Sequence, residues 1–258
     1  MLLFIVPLRN PSTCRDWPLV SRLCERTLRS LCQQTSPEFR VFLVCKERPQ
    51  MEFSHPALTI IEEDFPDPGD EHLPREQDKW RKLKRGLIAA RSFAAAHVMF
   101  TDADDCVHRD LAAVVAREPA SAGWFFATGY MHEAGTRWLW RRREFHRFCG
   151  TSAMVRCEVA DFPETMDDPT DSFRMLTYGH TAVHDFMLQR GTPLQGLPFA
   201  GAVYEVGTGE NHSGFSLNDW KGKKIFLNKL FNSRPLTAGM RQTFGLYDVD
   251  AARVATNP

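Results

Sequence analysis

Three carboxylates crowd into four positions where an apolar run ends, in "HVMFTDADDCVHRD", His97 to Asp110. No lysine or arginine separates Asp102, Asp104 and Asp105, so they repel one another unless they share a proton or a divalent cation. Residues two apart on an extended chain face the same side. Asp102 and Asp104 can therefore converge on one point. Oxygen ligands favour Mg²⁺ or Mn²⁺, and Mg²⁺ takes few protein carboxylates and completes its shell with phosphate oxygens. The cluster points to a cation that carries a diphosphate. The competing reading is an acidic strand end that caps the next helix.

Other groups could join such a site. Lys79, Lys82 and Arg85 recur three apart and share a helix face. That face is either solvated or aimed at a phosphate. "RWLWRRREFHR" mixes Arg137, Arg141, Arg142, Arg143 and Arg147 with Trp138 and Trp140. Arg141 and Arg142 could grip an anionic acceptor, a phosphorylated sugar or a lipid-linked diphosphate, and the cluster could also lie against a membrane. A plain solvated helix is the alternative. Glu63 and Asp64, in "EED", offer base or ribose contacts or form a solvated strand end. His180 and His184 stand four apart with no evident third metal ligand, so His184 reads as helix surface or acceptor contact. Tyr204 and Trp220 read as packing residues.

The elements that must place these groups alternate. "LLFIVPL" (2–8), "FRVFLVC" (39–45), "ALTIIEE" (57–63) and "HVMFT" (97–101) read as strands, the first of them buried on both faces. A helix capped by Asp16, with Pro18 in its first turn, follows the first strand. A loop, "DFPDPGDEHLPRE", and a helix with Trp80, Leu83, Leu87, Ile88 and Ala94 on its apolar stripe precede the fourth. This alternation predicts parallel strands with helices on both faces, and ligands outside the carboxyl ends of the strands. Further on, "GWFFATGYM" (123–131) and "GTSAMVR" (150–156) read as strands, and "HTAVHDFMLQRG" as a helix. The segment from "RPLTAGMRQTFG" onward carries weak signals.

Basic and acidic residues balance at 32 each in 258 residues, so no global field points to nucleic acid. The seven cysteines form no Cys-x-x-Cys pair, which reads as reduced thiols in a cytoplasmic setting. "MLLFIVPLRNP" lacks a basic leader and soon meets Arg9 and Pro11, so no secretory signal is expected, and no apolar run reaches the ~20 residues of a membrane span. Peripheral contact with a membrane stays open.

"GLIAARSFAAAHVMFTDADD" resembles the signature of family 2 glycosyltransferases with the GT-A fold, in which Gly-Leu-x-x-Ala-Arg-Asn leads into a strand ending Asp-Ala-Asp-Asp. Gly86, Arg91 and the block from Asp102 through Ala103 to Asp105 stand in the matching places, with Ser92 for the usual Asn. "IVPLRN" is similar to the first strand of that family, which ends against the nucleotide; this implies Pro7 and Arg9 as donor contacts, Arg9 replacing an aromatic. "GTSAMVR", "HDFMLQRG" and "YEVGTGENHSG" resemble later segments of the family, so the likeness runs in order over roughly residues 1 to 215. The acidic turn that reads base and ribose after the second strand is here "CKERP", leaving Lys46 or Glu47 for that role, with Asp64 as another candidate. The resemblance further implies Asp104 and His212 as metal ligands, Asp102 on the ribose or a metal-bound water, Lys82 and Arg91 on the donor, and Asp185 as catalytic base, with His184 where the family has Glu.

The expected protein is thus an α/β, GT-A-type single domain over 1–258. It has an open, mostly parallel Rossmann-like sheet and a nucleotide-sugar half (about 1–122). A mixed acceptor half (about 123–220) and a C-terminal extension (221–258) follow. The expected activity is transfer of a sugar from a nucleoside-diphosphate donor to a glycan, phosphorylated-sugar or lipid-linked hydroxyl with Mn²⁺ or Mg²⁺, by inversion. Two rivals are a Mg²⁺-dependent nucleotidyltransferase, whose Gly-rich loop is missing from "PLRNPSTCRD", and a sugar-nucleotide or glycan-binding module without catalysis. A third, a phosphatase with its Asp-x-Asp after the first core strand, conflicts with the three strands that precede this block.

Overall fold

Every residue from Leu2 to Val6 is fully buried. Such a strand needs cover on both faces, and parallel sheets provide it. In the computed structural model, which describes residues 1–69, 71–93, 96–158, 161–169, 174–210, 223–247 and 249, this strand is an interior strand of the larger of two sheets. The chain runs β1 (Leu2–Pro7), α1 (Trp17–Cys32), β2 (Phe39–Cys45), β3 (Leu58–Glu62), α2 (His72–Ala90) and β4 (Ala96–Phe100). It continues with β5 (Cys106–Val107), α3 (Leu111–Arg117), β6 (Gly123–Phe125), β7 (Thr128–Glu133), β8 (Trp138–Arg143) and β9 (Ala153–Cys157). Then come α4 (Arg174–Gln189), β10 (Gln195–Gly196), β11 (Ala202–Val206), α5 (Lys223–Asn232), β12 (Ser233–Pro235) and α6 (Ala238–Phe244).

The larger sheet has the order β10-β6-β9-β4-β1-β2-β3, and β4, β1, β2 and β3 are mutually parallel. Leu2, Phe4 and Val6 share a core layer with Val20, Cys24 and Leu28 of α1 and Leu111 of α3. Leu3 and Ile5 share the other layer with Leu83 and Leu87 of α2 and Val183 of α4. The strand order reverses between β1 and β4, and the crevice outside the carboxyl ends at such a reversal is where doubly wound sheets bind ligands. Asp102 to Asp105 follow β4 at that crevice. The smaller sheet, β12-β8-β7-β11-β5, is mixed, with β11 parallel to β7. No helix of the described residues is long and apolar enough to cross a membrane.

Four expectations are corrected. "GWFFATGYM" is two strands in different sheets, β6 and β7, with Phe126 buried at the crossing. The run is apolar throughout because both sheets bury it, so periodicity does not register the crossing. "RWLWRRR" is neither loop nor helix but strand β8, whose Leu139 and Trp140 fall in two different core clusters. Helix α2 begins at His72, inside the expected loop, because Pro74 is tolerated in a first turn. Its inward residues include Asp78, Lys82 and Lys84, while Trp80 is 38% exposed. The loop over 162–169 lies on α2 and supplies carbonyls: Lys84 donates to Met166 and Asp168. The weakly signalled C-terminal segment docks on the core, with Phe244 of α6 packed against Cys106, Leu139 and Val203. No disulfide joins any two of the seven cysteines.

Helix α2 approaches β1 closely at Gly86, where a Cβ would stand 2.4 Å from Ile5 Cγ2 and 3.3 Å from Val44 Cγ2. Ile5 is fully buried and cannot swing aside. Gly86→Val should therefore cost about 3 kcal/mol through overpacking, read as a lower urea midpoint. An unchanged midpoint would mean that α2 is not seated as described.

Candidate active site

A cavity of about 330 Å³ opens at the reversal between β1 and β4. Pro7 and Arg9 from the end of β1, Asp78, Lys79 and Lys82 from α2, and Asp102, Ala103 and Asp104 from the end of β4 all line it. Thr13, Phe148, Gly150, Tyr204 and Glu210 contribute further wall.

The aspartate turn is held from several sides. The Asp102 backbone N–H donates to Thr151 Oγ1 at 2.9 Å, and the Asp105 N–H to the Asp102 carbonyl at 3.1 Å. The Asp105 carboxyl is fully buried and accepts from the Glu205 N–H at 3.2 Å and from Cys149 Sγ at 3.2 Å. Burial, and next the charges of Asp104 and Asp102, push its pKa well above the carboxylate range. Asp105 is thus a structural carboxyl that ties the turn to β11. From the far side Arg26 of α1, 2% exposed, donates to the Asp104 carbonyl at 3.1 Å and pairs with Glu205 Oε2 at 3.2 Å. Glu205 also meets His132 Nδ1 at 2.8 Å. Burial acts to raise the Glu205 pKa, but Arg26 and His132 outweigh it and hold the group below its usual value.

The two cavity aspartates differ. Asp102 Oδ1 pairs with Lys79 Nζ at 2.5 Å. Burial opposes the charge on Lys79, yet Asp102 outweighs it and raises the lysine pKa. Asp104 is half-buried, and burial, followed by the charges of Asp102 and Glu205, pushes its pKa up to about 7. The surroundings therefore oppose a bare negative charge on Asp104, which a proton or a bound cation would relieve. A Cβ at Gly150 would lie 2.8 Å from Asp102 Oδ2, so glycine keeps the space beside that oxygen open. The divalent cation implied by the resemblance fits this donor set. No group of three His, Cys, Asp or Glu among the described residues is arranged to hold a metal. Two carboxylates with phosphate and water completing the shell is, however, a common Mg²⁺ arrangement.

Arg9 and Lys82, like Lys79, meet acidic partners in the wall. Arg9 reaches Glu210 Oε2 at 3.1 Å and the Thr13 carbonyl. Glu210, buried, also accepts from the backbone N–H groups of Arg15 and Asp16 ahead of α1. Lys82, with no exposed side-chain surface, pairs with Asp78 Oδ2 at 2.5 Å, and burial lowers its pKa. Asp78 Oδ1 is buried with no hydrogen-bond partner.

Other sequence candidates lie elsewhere. Glu47 is exposed and does not line the cavity. Asp64, with a side chain 95% exposed, pairs with Lys46 at 3.2 Å. Arg91 donates to the Phe162 carbonyl at 2.7 Å and pairs with Glu164 at 3.0 Å. Arg85 pairs with Glu63. Asp185 is on α4 with its side chain 62% exposed, and His184 Nδ1 lies 3.1 Å from its Oδ1. His184 packs on Phe125 and His146. Arg141 is exposed on β8. The Arg142 guanidinium lies between the rings of Trp140 at 4.5 Å and Phe148 at 4.2 Å, so it touches the cavity wall from behind. His212, the Trp220 reading and the side chain of His180 lie outside the described residues.

Sequence reasoning missed Asp78, Phe148 and Glu210, and took Tyr204 for packing. The Asp78–Lys82 spacing is visible as an i,i+4 pair, but only burial separates it from an ordinary surface pair.

No protein-family model matches the chain, and no curated protein matches it. Among solved structures it is similar to S. aureus TarS, at 15% identity with a TM-score of 0.45, over 80% of this chain and 36% of that one. The chain thus spans little more than a third of the TarS chain.

The Asp104 carboxyl makes stability depend on pH. Its folded pKa of about 7 lies above the ordinary value of 3.8. The native state therefore binds more protons between those values, and stability falls as pH rises through that window. Asp104→Asn removes the titration. In chelator and without nucleotide, the variant should melt close to wild type near pH 4 and increasingly above it toward pH 8. Parallel melting curves over that range would contradict the burial of this charge.

Proposed function

We propose that the chain is a GT-A-type glycosyltransferase that moves a sugar from a nucleoside diphosphate to an acceptor hydroxyl. The observation that carries the reading is one cavity, at the reversal point of a doubly wound sheet, that joins Asp102 and Asp104 to Arg9, Lys79 and Lys82. Paired carboxylates beside several cations suit a ligand that is both phosphorylated and metal-bound. Asp104 and Asp102 would hold the Mn²⁺ or Mg²⁺ ion. When bound, the ion supplies Lewis-acid neutralisation of the leaving diphosphate.

The chain's own residues do the rest. Lys79 leaves Asp102 for a phosphate oxygen, an exchange between half-exposed partners that costs little. Asp78 and Lys82 form a fixed, enclosed ion pair in the cavity wall, which shapes that wall rather than exchanging partners with a ligand. The acceptor oxygen attacks the anomeric carbon as the bond from that carbon to the diphosphate oxygen breaks. The acceptor proton passes to Asp185, which His184 contacts, and the configuration inverts. The acceptor approaches from the side of the short turn over Phe145–Arg147, where His184 packs and which Phe148 joins to the cavity.

Two measurements test this reading. In a thermal-shift panel of UDP, GDP, dTDP, CDP and ADP, at least one nucleotide should raise the melting temperature in Mn²⁺ and do so far less in chelator. Asp104→Ala should lose the Mn²⁺-dependent part of that shift. No stabilisation by any nucleotide in Mn²⁺ would sink the transferase reading, and an unchanged shift in Asp104→Ala would remove Asp104 from the metal site.

For catalysis, Asp185→Asn should lower turnover by roughly 10²–10⁴ while nucleotide affinity stays at wild type. Near-normal turnover would remove Asp185 as the base. Nucleotide affinity without turnover in the wild type, across acceptors, would favour a binding module.

A further inference from the structure

We propose that the free edge of the smaller sheet, built from β8, β12 and α5, docks on an anionic lipid surface. The chain as a whole is neutral, yet residues 137–143 hold four arginines and residues 223–235 hold four lysines or arginines, with no Asp or Glu in either segment. The fold brings the two segments together. β12 is the edge strand and pairs antiparallel with β8, Pro235 opposite Trp138. Helix α5 runs directly into β12 and packs on β8, where Asn228 Oδ1 accepts from Trp140 Nε1 at 3.2 Å and Lys229 Nζ stands 5.6 Å from the Trp140 ring. Among the described residues, acidic neighbours stand at the margin: Glu133 acts on Lys229, and Glu144 pairs with Arg147.

This edge also exposes large apolar side chains. Trp138 is 57% exposed, Leu230 61% and Phe231 72%. Single exposed apolar residues are ordinary. Three of them on one acid-free basic edge mark an interaction surface. The chemistry selects its partner. Leu230 and Phe231 beside lysines and arginines suit the boundary between headgroups and acyl chains, where long basic side chains reach back to phosphates. A nucleic acid would match the charge, but an aliphatic side chain such as Leu230 offers no face for a base to stack on. A second copy across a two-fold axis would set the same basic edge against itself.

The surface also connects to the cavity. Trp140, Arg142 and Phe148 stack in sequence, and Phe148 lines the cavity. Docking at this edge does not depend on the transferase reading. On that reading, it would bring the acceptor side of the cavity toward lipid-linked hydroxyls.

The test is sedimentation with vesicles of phosphatidylcholine alone or mixed with phosphatidylglycerol, at ~0.1 M salt and again at high salt, where screening is stronger. The wild type should bind only the anionic vesicles and leave them at high salt. One basic residue near such a surface is worth roughly fivefold in partitioning. Arg143→Glu with Arg234→Glu, and separately Leu230→Ser with Phe231→Ser, should each weaken binding at least about tenfold. Both pairs lie outside the cavity lining and should melt at the wild-type temperature, with the same nucleotide shift. Several results would overturn the proposal: equal binding to both vesicle types, salt-independent binding, wild-type-like binding by either double variant, displacement from vesicles by a single-stranded oligonucleotide, or a solution dimer that Leu230→Ser with Phe231→Ser dissolves.

Discussion

A guanidinium buried between two sheets governs the geometry of this protein. Arg26 is 2% exposed and meets both the Asp104 carbonyl and the Glu205 carboxylate. A buried charge without a partner is too costly to survive, so α1, the aspartate turn and β11 must arrive in one arrangement. His132 extends the network to β7, and the Asp105 carboxyl closes it through the Glu205 N–H. Such a network need not add much net stability, because desolvation offsets its attraction. Its effect is positional: it orients the Asp102–Asp104 segment toward the cavity.

Positional control then creates a division among like groups. Asp102 has a lysine, Asp105 is enclosed, and the charge on Asp104 is opposed by its burial and by its acidic neighbours. The cations divide in the same way. Lys79 and Arg9 are partly exposed, with side-chain exposures of 36% and 27%, and such pairs can exchange partners at small cost. Lys82 and Asp78 are enclosed, and their pairing stays fixed. The cavity thus combines groups that can turn to a phosphate with a pair that shapes its wall.

The smaller sheet has two assignments. Its β5 and β11 end holds the aspartate turn, and its β12 edge carries the basic and apolar surface. Arg142 lies between these regions, stacked on one ring from the strand and one from the cavity wall. A sheet transmits position across its strands because each ladder fixes its neighbour's register. The edge and the β11 side of the cavity are therefore joined through one continuous sheet.

Local sequence determined what depends on local chemistry. β2 was legible to the residue, the Asp16 cap closes on the Leu19 N–H as its spacing implied, and the aspartates fall at the end of β4. Strands buried on both faces and a capped helix advertise themselves because their environment repeats along the chain. The aspartates' place at the crevice followed from the rule for strand ends, whereas Pro7, Arg9 and Lys82, which line the same cavity, were implied by the resemblance. Other features depended on what packs from far along the chain. "GWFFATGYM" divides between two sheets, "RWLWRRR" is a strand, and the polar face of α2 turns inward because the loop over 162–169 supplies carbonyls to it. Asp78 and Glu210 reach the site by the same route, each through a partner or a burial that its neighbours in sequence do not reveal. Periodicity records how a segment is buried but not by what. Only the tertiary structure decided which of several identical carboxylates would meet a lysine, be enclosed or face the cavity.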